Sequence, residues 1–258
     1  MEMYKDTIFD LRGKTALITG GSQGIGKSIS EIYAKAGADI CITARNTDIL
    51  NETVKMLEMY GTKVVGITFD HERWREVPEL LNIYNHYFDK LDILVNNAGC
   101  GHVSKIEDMQ DRDWIKNQSL LLSNVMKMCK TFLPLMENKS YKSKIINISS
   151  ILGNVGREYR TAYCSNKGGV LSFTRALAFE VIDKNINVNS ISPGQVLTPL
   201  TEGMFRDASK KAAVDKLIPL GRWAQPSELQ GVALLLASEA SDYIVGQDIL
   251  IDGGWSIV

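Results

Sequence analysis

The sequence has few of the residues that build metal sites and disulfide frameworks. Its four cysteines, Cys41, Cys100, Cys129 and Cys164, are scattered without Cys-x-x-Cys spacing, and its three histidines lie far apart in the chain. This pattern favours reduced thiols over disulfides or a zinc site. We therefore predict that the protein holds no metal ion.

Long apolar runs and an excess of one charge are missing as well. No run reaches about 18 uninterrupted apolar residues, and residues 1–14 contain no apolar core of signal-peptide length. We therefore expect a cytoplasmic protein with no membrane partner. Lys and Arg number 29 and Asp and Glu number 30, so the sequence lacks the basic excess that a nucleic-acid partner would require.

The remaining composition is that of an ordinary globular protein. Hydrophobic residues make up 45% of the 258 positions, which is enough for a sizeable core, and we predict one domain over residues 1–258. Apolar runs alternate with helical patterns, which predicts an α/β fold with a parallel sheet and helices on both faces. The predicted strands span residues 14–19, 38–44, 63–69, 91–95 and 144–148, and the predicted helices span 28–36, 48–59, 73–88, most of 111–137 and about 161–179.

The first predicted strand leads into a glycine-rich loop, Gly20 to Gly26, with a helix behind it. Glycines permit a tight turn and close approach of the backbone, and the free amides at the start of the helix would face a pyrophosphate. The spacing Gly-x-x-x-Gly-x-Gly departs from the general Gly-x-Gly-x-x-Gly fingerprint, so a plain glycine-rich turn is the alternative.

The end of the second predicted strand indicates which dinucleotide would bind. An acidic residue about 20 positions beyond the glycines is typical of NAD sites, and a cation there is typical of NADP sites. Arg45 stands at this point, where a guanidinium could pair with the 2′-phosphate, so we prefer NADP(H), with NAD(H) as the alternative. Arg45 could also be a solvated surface residue. Asp70, after the third strand, could meet an adenine amino group or serve as a turn residue.

Tyr163 and Lys167 lie four positions apart at the start of the predicted helix over 161–179, so their side chains share one helix face. A fixed ammonium would lower the pKa of the phenol, which is about 10 in water, and would make it usable for acid-base chemistry near neutral pH. The alternative is a helix with a packed tyrosine and a solvated lysine.

Together these motifs resemble the short-chain dehydrogenase/reductase family over nearly the whole chain. Gly20-x-x-x-Gly24-x-Gly26, Asn96-Asn97-Ala98-Gly99, Ser150 and Tyr163-x-x-x-Lys167 stand in the family's order, and Ser150 precedes Tyr163 by 13 positions, as the family's catalytic serine does. The segment 192–199 resembles the family's Pro-Gly segment, and the region 219–254 resembles its C-terminal signature.

The resemblance implies a single Rossmann-like, doubly wound domain with about seven parallel strands, in which residues 12–150 bind the cofactor and 150–258 carry catalysis and substrate binding. It implies hydride transfer between NADP(H) and a carbonyl or secondary alcohol of a small molecule, in a homotetramer. The implied catalytic residues are Ser150, Tyr163 and Lys167. The implied cofactor-binding residues are Gly20, Ser22, Gln23, Gly24, Ile25, Gly26, Arg45, Asn46, Asp70, Asn97, Ala98, Gly99, Tyr163, Lys167, Pro193, Gly194, Val196 and Thr198.

One position departs from the family's pattern. The fourth catalytic residue of the family is an asparagine 25 positions after the first asparagine of Asn-Asn-Ala-Gly, and here that count from Asn96 reaches Leu121. Leucine cannot bind the water that links the lysine to solvent. Asn117 and Asn124 lie near the same face of a regular helix and could replace it. The alternative is a catalytically weak homologue that binds NADP(H) as a scaffold or sensor.

Substrate specificity is expected in the loops after the strands, with a mobile lid over residues 195–216. Arg157, Arg160 and Arg206 could meet an anionic group or could be solvated surface charges, and His102 is expected near the pocket. The substrate itself is not identified.

Overall fold

A computed structural model describes residues 3–137 and 141–257. Residues 1–2, 138–140 and 258, which belong to the predicted domain, lie outside the described ranges. The strands are β1 Thr15–Thr19, β2 Asp39–Ala44, β3 Val64–Thr68, β4 Ile93–Asn96, β5 Ser143–Ile148, β6 Ile186–Pro193 and β7 Asp248–Ile251. The helices are α1 Gly24–Lys35, α2 Thr47–Glu58, α3 Val77–Tyr84, α4 Asp111–Gln118, α5 Asn124–Met136, α6 Thr161–Glu180, α7 Glu202–Arg206, α8 Ala208–Asp215 and α9 Gln230–Ala237.

The seven strands form one parallel sheet in the order β3-β2-β1-β4-β5-β6-β7. Successive residues of β1 point to opposite faces: Ile18 joins a core cluster with α1, α2 and α9, and Leu17 joins one with α3, α5 and α6. Helices therefore cover both faces, and the predicted doubly wound, Rossmann-like sheet is confirmed. The strand order reverses between β1 and β4, which is where ligands bind in open α/β sheets.

Two predicted helices differ from the observed ones for local reasons. The first begins at Gly24 inside the glycine loop, four residues before the predicted start at Ser28. The helix predicted over 73–88 is a 3₁₀ turn, Trp74–Glu76, followed by α3, which ends at Tyr84. Pro78 lies in the first turn of α3, where its missing N–H costs nothing, but its ring prevents a regular helix from running through it from residue 73.

The long helix predicted within 111–137 is interrupted. A π-helical segment, Ser119–Ser123, separates α4 from α5. A π segment accommodates an extra residue in its turn, so side chains beyond it are rotated relative to a regular helix. The prediction that Asn117 and Asn124 lie near one face with Leu121 was based on regular helical spacing, which this segment does not keep. Within the described ranges, no helix has the length and apolar character to cross a membrane.

Candidate active site

A cleft of about 380 Å³ opens where the parallel strands end, above the reversal between β1 and β4. All of the predicted catalytic and cofactor-binding residues except Gly26 line this cleft, whereas the other candidates near the pocket, His102, Arg157, Arg160 and Arg206, do not. The glycine loop contributes Gly20, Ser22, Gln23, Gly24 and Ile25; later loops contribute Arg45, Asn46, Asp70, Asn97, Ala98, Gly99, Ser150, Pro193, Gly194, Val196 and Thr198; and α6 contributes Tyr163 and Lys167.

The glycine loop has a backbone that requires glycine at specific positions. Gly20 and Gly24 have φ angles of 65° and 52°, in the left-handed region that side chains disfavour. At Gly26, a Cβ atom would lie 2.3 Å from the carbonyl oxygen of Gly20 and 2.4 Å from the Asn97 amide nitrogen. The loop can therefore fold tightly onto the start of α1 only with glycine at these places.

The start of α1 offers donors for an anion. The first amides of a helix have no intrahelical partner, and at Gln23 no side chain caps them. Asn97 fixes the loop from the neighbouring strand, because its side-chain amide donates to the carbonyl oxygens of Thr19, at 2.9 Å, and Gly20, at 3.1 Å. Strand, tight loop and uncapped helix start fit the pyrophosphate of a dinucleotide.

The Arg45 guanidinium is not free of carboxylates. Its Nη1 lies 3.4 Å from Glu72, and the same carboxylate lies 3.3 Å from the ammonium of Lys116 on α4. Glu72 also lines the cleft and comes from the loop after β3, 27 residues further along the chain than Arg45. Glu72 therefore bridges Arg45 and Lys116, the two cations between which the 2′-phosphate of NADP would bind.

Two further predicted cofactor residues have structural roles of their own. Asp70 accepts a hydrogen bond from the backbone N–H of Glu72 at 3.0 Å, so it forms the turn that was the alternative to adenine binding. Asn46 caps α2 by accepting from the N–H of Ile49 at 3.0 Å. Both residues also line the cleft, so each could contact a bound nucleotide as well.

Ser150, Tyr163 and Lys167 converge on one side of the cleft. Ser150 lies two residues after the end of β5, and Tyr163 and Lys167 lie on the first turns of α6, with the Lys167 Nζ atom 5.7 Å from the centre of the Tyr163 ring. The Ser150 hydroxyl accepts a hydrogen bond of 3.2 Å from the N–H of Leu152. The backbone of Gly153 packs against Lys167, where a Cβ on Gly153 would lie 2.9 Å from the Lys167 carbonyl carbon, which holds the serine segment on α6.

Burial has the largest effect on the pKa values of Tyr163 and Lys167. It raises the pKa of Tyr163 above its ordinary value, while Ser150 and the charge of Arg160 act in the opposite direction. Burial lowers the pKa of Lys167 to about 8. The prediction that Lys167 lowers the pKa of Tyr163 therefore differs from what this arrangement shows, because desolvation dominates both groups.

The Lys167 ammonium has a backbone partner. It donates a hydrogen bond of 2.7 Å to the carbonyl oxygen of Ile148, the last residue of β5. Leu121 also lines the cleft and is 1% exposed, and its Cδ2 atom would lie 3.3 Å from a Cβ on Gly99. The position of the family's fourth catalytic residue is therefore filled by a packed apolar side chain.

Both nearby asparagines have hydrogen-bond partners elsewhere. Asn117 donates to the carbonyl oxygen of Asp113 at 2.8 Å, within its own helix. The side-chain oxygen Oδ1 of Asn124 lies 3.1 Å from His71 Nδ1, and His71 Nε2 lies 2.7 Å from the hydroxyl of Thr43. Burial lowers the pKa of His71 to about 4, so the ring is neutral at pH 7 and links β2, the loop after β3 and α5.

The Pro-Gly segment after β6 closes the cleft from the other side. Thr198 contacts the glycine loop, since a Cβ on Gly24 would lie 3.2 Å from the Thr198 side chain. The N–H of Thr198 donates to the hydroxyl of Thr201 at 3.0 Å. The region predicted as a lid contains α7 and α8, and Phe205 packs edge-on against Trp223 at 5.2 Å.

Sequence reasoning missed three residues that shape the cleft: His71, Glu72 and Ile148. His71 and Glu72 follow Asp70 at the end of a strand, where polar residues are a signal of ligand contact. Ile148 gave no signal, because it acts through its backbone carbonyl. Among the residues with described side chains, no cluster of histidine, cysteine or acidic groups could hold a metal ion.

Comparisons with known proteins agree with this site. The family model described as enoyl-(acyl carrier protein) reductase matches residues 20–256. The 2-dehydro-3-deoxy-D-gluconate 5-dehydrogenase of Escherichia coli is 35% identical over 96% of this chain and 97% of its own.

Two solved structures are similar throughout. A short-chain type dehydrogenase/reductase from Mycobacterium marinum has a TM-score of 0.91 at 35% identity and covers 97% of this chain and 98% of its own. A gluconate 5-dehydrogenase from Burkholderia cenocepacia, in complex with NADP and tartrate, has a TM-score of 0.91 at 31% identity with the same coverage. With a family model over most of its length and relatives above 30% identity, the chain belongs to the short-chain dehydrogenase/reductase family of NAD(P)-dependent oxidoreductases.

Proposed function

We propose that the protein interconverts a carbonyl group and a secondary alcohol of a small molecule, using NADP(H), with Tyr163 as the general acid and base. The observation that carries the proposal is the convergence of Ser150, Tyr163 and Lys167 at a cleft whose other end is a glycine cradle. The nucleotide, when bound, supplies or accepts the hydride.

The residues of the chain then have distinct roles. In the reduction, Tyr163 donates its phenolic proton to the carbonyl oxygen, and its raised pKa keeps it protonated at neutral pH. Ser150 donates a hydrogen bond to the same oxygen, where negative charge develops. Lys167, held by the Ile148 carbonyl with its ammonium 5.7 Å from the centre of the Tyr163 ring, would help to hold the nucleotide beside the phenol.

The cradle residues would hold the nucleotide. The amides at the start of α1 face the pyrophosphate, and Arg45 with Lys116 would meet the 2′-phosphate of NADP. NADP is bound in the related gluconate 5-dehydrogenase structure, which supports this preference. We also propose that residues 195–216 act as the lid that excludes water. The homotetramer implied by the resemblance stays a prediction.

The relatives suggest where to look for a substrate. Both the E. coli and the B. cenocepacia relatives are named as dehydrogenases of sugar acids. The decisive experiment follows NADPH oxidation by the purified protein against oxo acids, keto sugar acids and neutral ketones, and NADP reduction against the corresponding sugar acids, with NADH and NAD in parallel. We expect turnover that Tyr163→Phe abolishes. Turnover that survives in Tyr163→Phe would overturn the assignment of Tyr163.

A second candidate is an NADP(H)-binding homologue with little catalytic activity, which acts as a scaffold or sensor. The observation that favours it is Leu121, a buried leucine at the position of the family's fourth catalytic residue. The two candidates differ in one measurement. A protein that binds NADPH tightly and turns over no member of a broad carbonyl panel would support the second.

A further inference from the structure

The loop that leads into α6 carries two arginines, Arg157 and Arg160, without carboxylate partners. Both side chains are only partly exposed, and across residues 3–137 and 141–257 neither guanidinium forms an ion pair with an acidic group. Arg206, the third arginine near the cleft, is different: it is 75% exposed and lies 2.5 Å from Glu202. The structure therefore separates two uncompensated cations from one ordinary surface ion pair.

Arg160 lies between the substrate loops and the proposed acid. Its Nη1 donates a hydrogen bond of 3.1 Å to the carbonyl oxygen of His102, in the loop after β4. That loop includes Gly99 and Cys100, which line the cleft. The charge of Arg160 also acts on the phenol of Tyr163, three residues further along the chain. The Arg160 guanidinium does not line the cleft itself but lies beside the loop that does.

Arg157 lies beside it in a partly apolar setting. Its guanidinium carbon is 5.1 Å from the centre of the Trp255 ring. The backbone N–H of Arg160 donates a hydrogen bond of 3.2 Å to the carbonyl oxygen of Arg157, so one turn brings the two residues close together. Burial lowers the pKa of Arg157, and the charge of Arg160 acts in the same direction. An anion placed between them would remove the repulsion between the two cations and replace the water that burial has taken away.

The loop that carries the two arginines has an unfavourable backbone conformation, which contacts with a neighbouring loop maintain. Tyr159, between the two arginines, has a φ of 61°, which is unusual for a residue with a large side chain. Its carbonyl oxygen accepts a hydrogen bond of 3.0 Å from the N–H of Ser104, which ties this loop to the one after β4. Strained backbone that surrounding contacts enforce is concentrated at ligand sites. In the same loop after β4, the Nε2 atom of His102 is buried without a partner among the described residues.

We propose that Arg157 and Arg160 form an anion subsite beside the cleft, and that the substrate is a small carbonyl compound or alcohol bearing a carboxylate or phosphate group. This inference is based on the proposed function, because it names the substrate class of that same site. The group would be held by charge-assisted hydrogen bonds, for which a guanidinium provides a planar pair of donors.

The kinetic test compares three matched carbonyl substrates: an oxo acid, its neutral amide, and an oxo alcohol phosphate. Arg157→Met and Arg160→Met should each raise KM for the preferred anionic substrate by about 10- to 100-fold, while kcat changes by less than about threefold. The kinetics of the neutral amide should not change. Arg112→Met, which removes an arginine that is 85% exposed, is the matched control and should behave as wild type. Arg160→Lys should restore part of the lost affinity.

Equal losses for the acid, the phosphate and the amide would overturn the subsite, as would unchanged KM values for both anionic substrates. Calorimetry with malonate and with inorganic phosphate on the protein–NADPH complex needs no turnover. Binding that weakens in both arginine variants would uphold the subsite even if no carbonyl compound is reduced. Wild-type affinity in both variants would reject the subsite while leaving the proposed reductase intact.

Discussion

The ammonium of Lys167 donates a 2.7 Å hydrogen bond to the backbone carbonyl of Ile148, and burial lowers its pKa to about 8. The lysine is therefore anchored by the sheet itself. Because a backbone carbonyl cannot be removed by substitution, only the lysine end of this contact is open to a mutational test.

The pH dependence of the reaction should report the ionisation of Lys167. In the free protein, Lys167 is protonated below about pH 8 and loses its charge above it. We expect kcat/KM for NADPH, which reports the free enzyme, to fall as the pH rises through about 8. Lys167→Arg keeps its charge at all these values. If kcat/KM for NADPH falls at the same pH in Lys167→Arg, a group other than Lys167 causes the decline.

Tyr163→Phe should remove nearly all turnover. Loss of a general acid typically costs about 10²- to 10⁴-fold in rate, and the ring that packs in the site is retained. The dissociation constant for NADPH should change by less than about threefold, as measured by fluorescence titration. Tyr243→Phe, at a fully exposed tyrosine, is the control.

Leu121→Asn tests whether the missing fourth residue limits the rate. We expect kcat to rise severalfold, because an amide at this position could hold a water near Lys167. The buried polar group should lower the free energy of unfolding by about 1–3 kcal/mol. Leu121→Ala opens the same space without an amide, so an equal gain in Leu121→Ala would attribute the effect to space rather than to a proton relay.

Glu72→Gln should strengthen NADPH binding. The carboxylate bridges Arg45 and Lys116 at 3.4 Å and 3.3 Å, and it competes with a 2′-phosphate for both cations. We expect the dissociation constant for NADPH to fall severalfold and that for NADH to stay the same. Glu76→Gln, whose carboxylate pairs with Arg73 instead, is the matched control. Weaker NADPH binding in Glu72→Gln would mean that Glu72 orients Arg45.

His71 should make the protein less stable in acid. Its pKa is about 4 in the folded state and about 6.5 in the unfolded chain, so the unfolded state binds more protons between these values. The contribution of His71 to the free energy of unfolding, roughly 3 kcal/mol, is fully present above about pH 6.5 and is lost as the pH falls towards 4. Urea unfolding at several pH values should show a smaller loss in His71→Gln. The exposed His86→Gln should keep the loss seen in wild type.

The sequence could predict the features that depend on local pattern. The strand and helix alternation, the glycine loop and the Tyr163–Lys167 pair each depend on residues close in the chain, and the sheet with helices on both faces followed from them. The site's electrostatics could not be predicted in this way. Glu72 reaches Arg45 from a different loop, and the burial that raises the pKa of Tyr163 exists only once the sheet has assembled.

The three arginines illustrate the same limit. Arg157, Arg160 and Arg206 had the same two interpretations in the sequence, as anion ligands or solvated charges. Only the packed chain distinguishes them, because Glu202 compensates Arg206 one helical turn away and nothing acidic compensates the other two within the described ranges. The helix interruption at Ser119–Ser123 was equally invisible, since its residues form an unremarkable apolar run.

That interruption sets where the chain can lose a residue. The π turn at Ser119–Ser123 holds one residue more than a regular turn, while Asn124 contacts His71 and the apolar face of α5 packs on the sheet. Removing one residue from this segment would give a continuous regular helix without rotating α5. The same deletion inside α4 would turn everything after it by about 100° about the axis, so a one-residue deletion should be tolerated at Ser119–Ser123 far better than in α4.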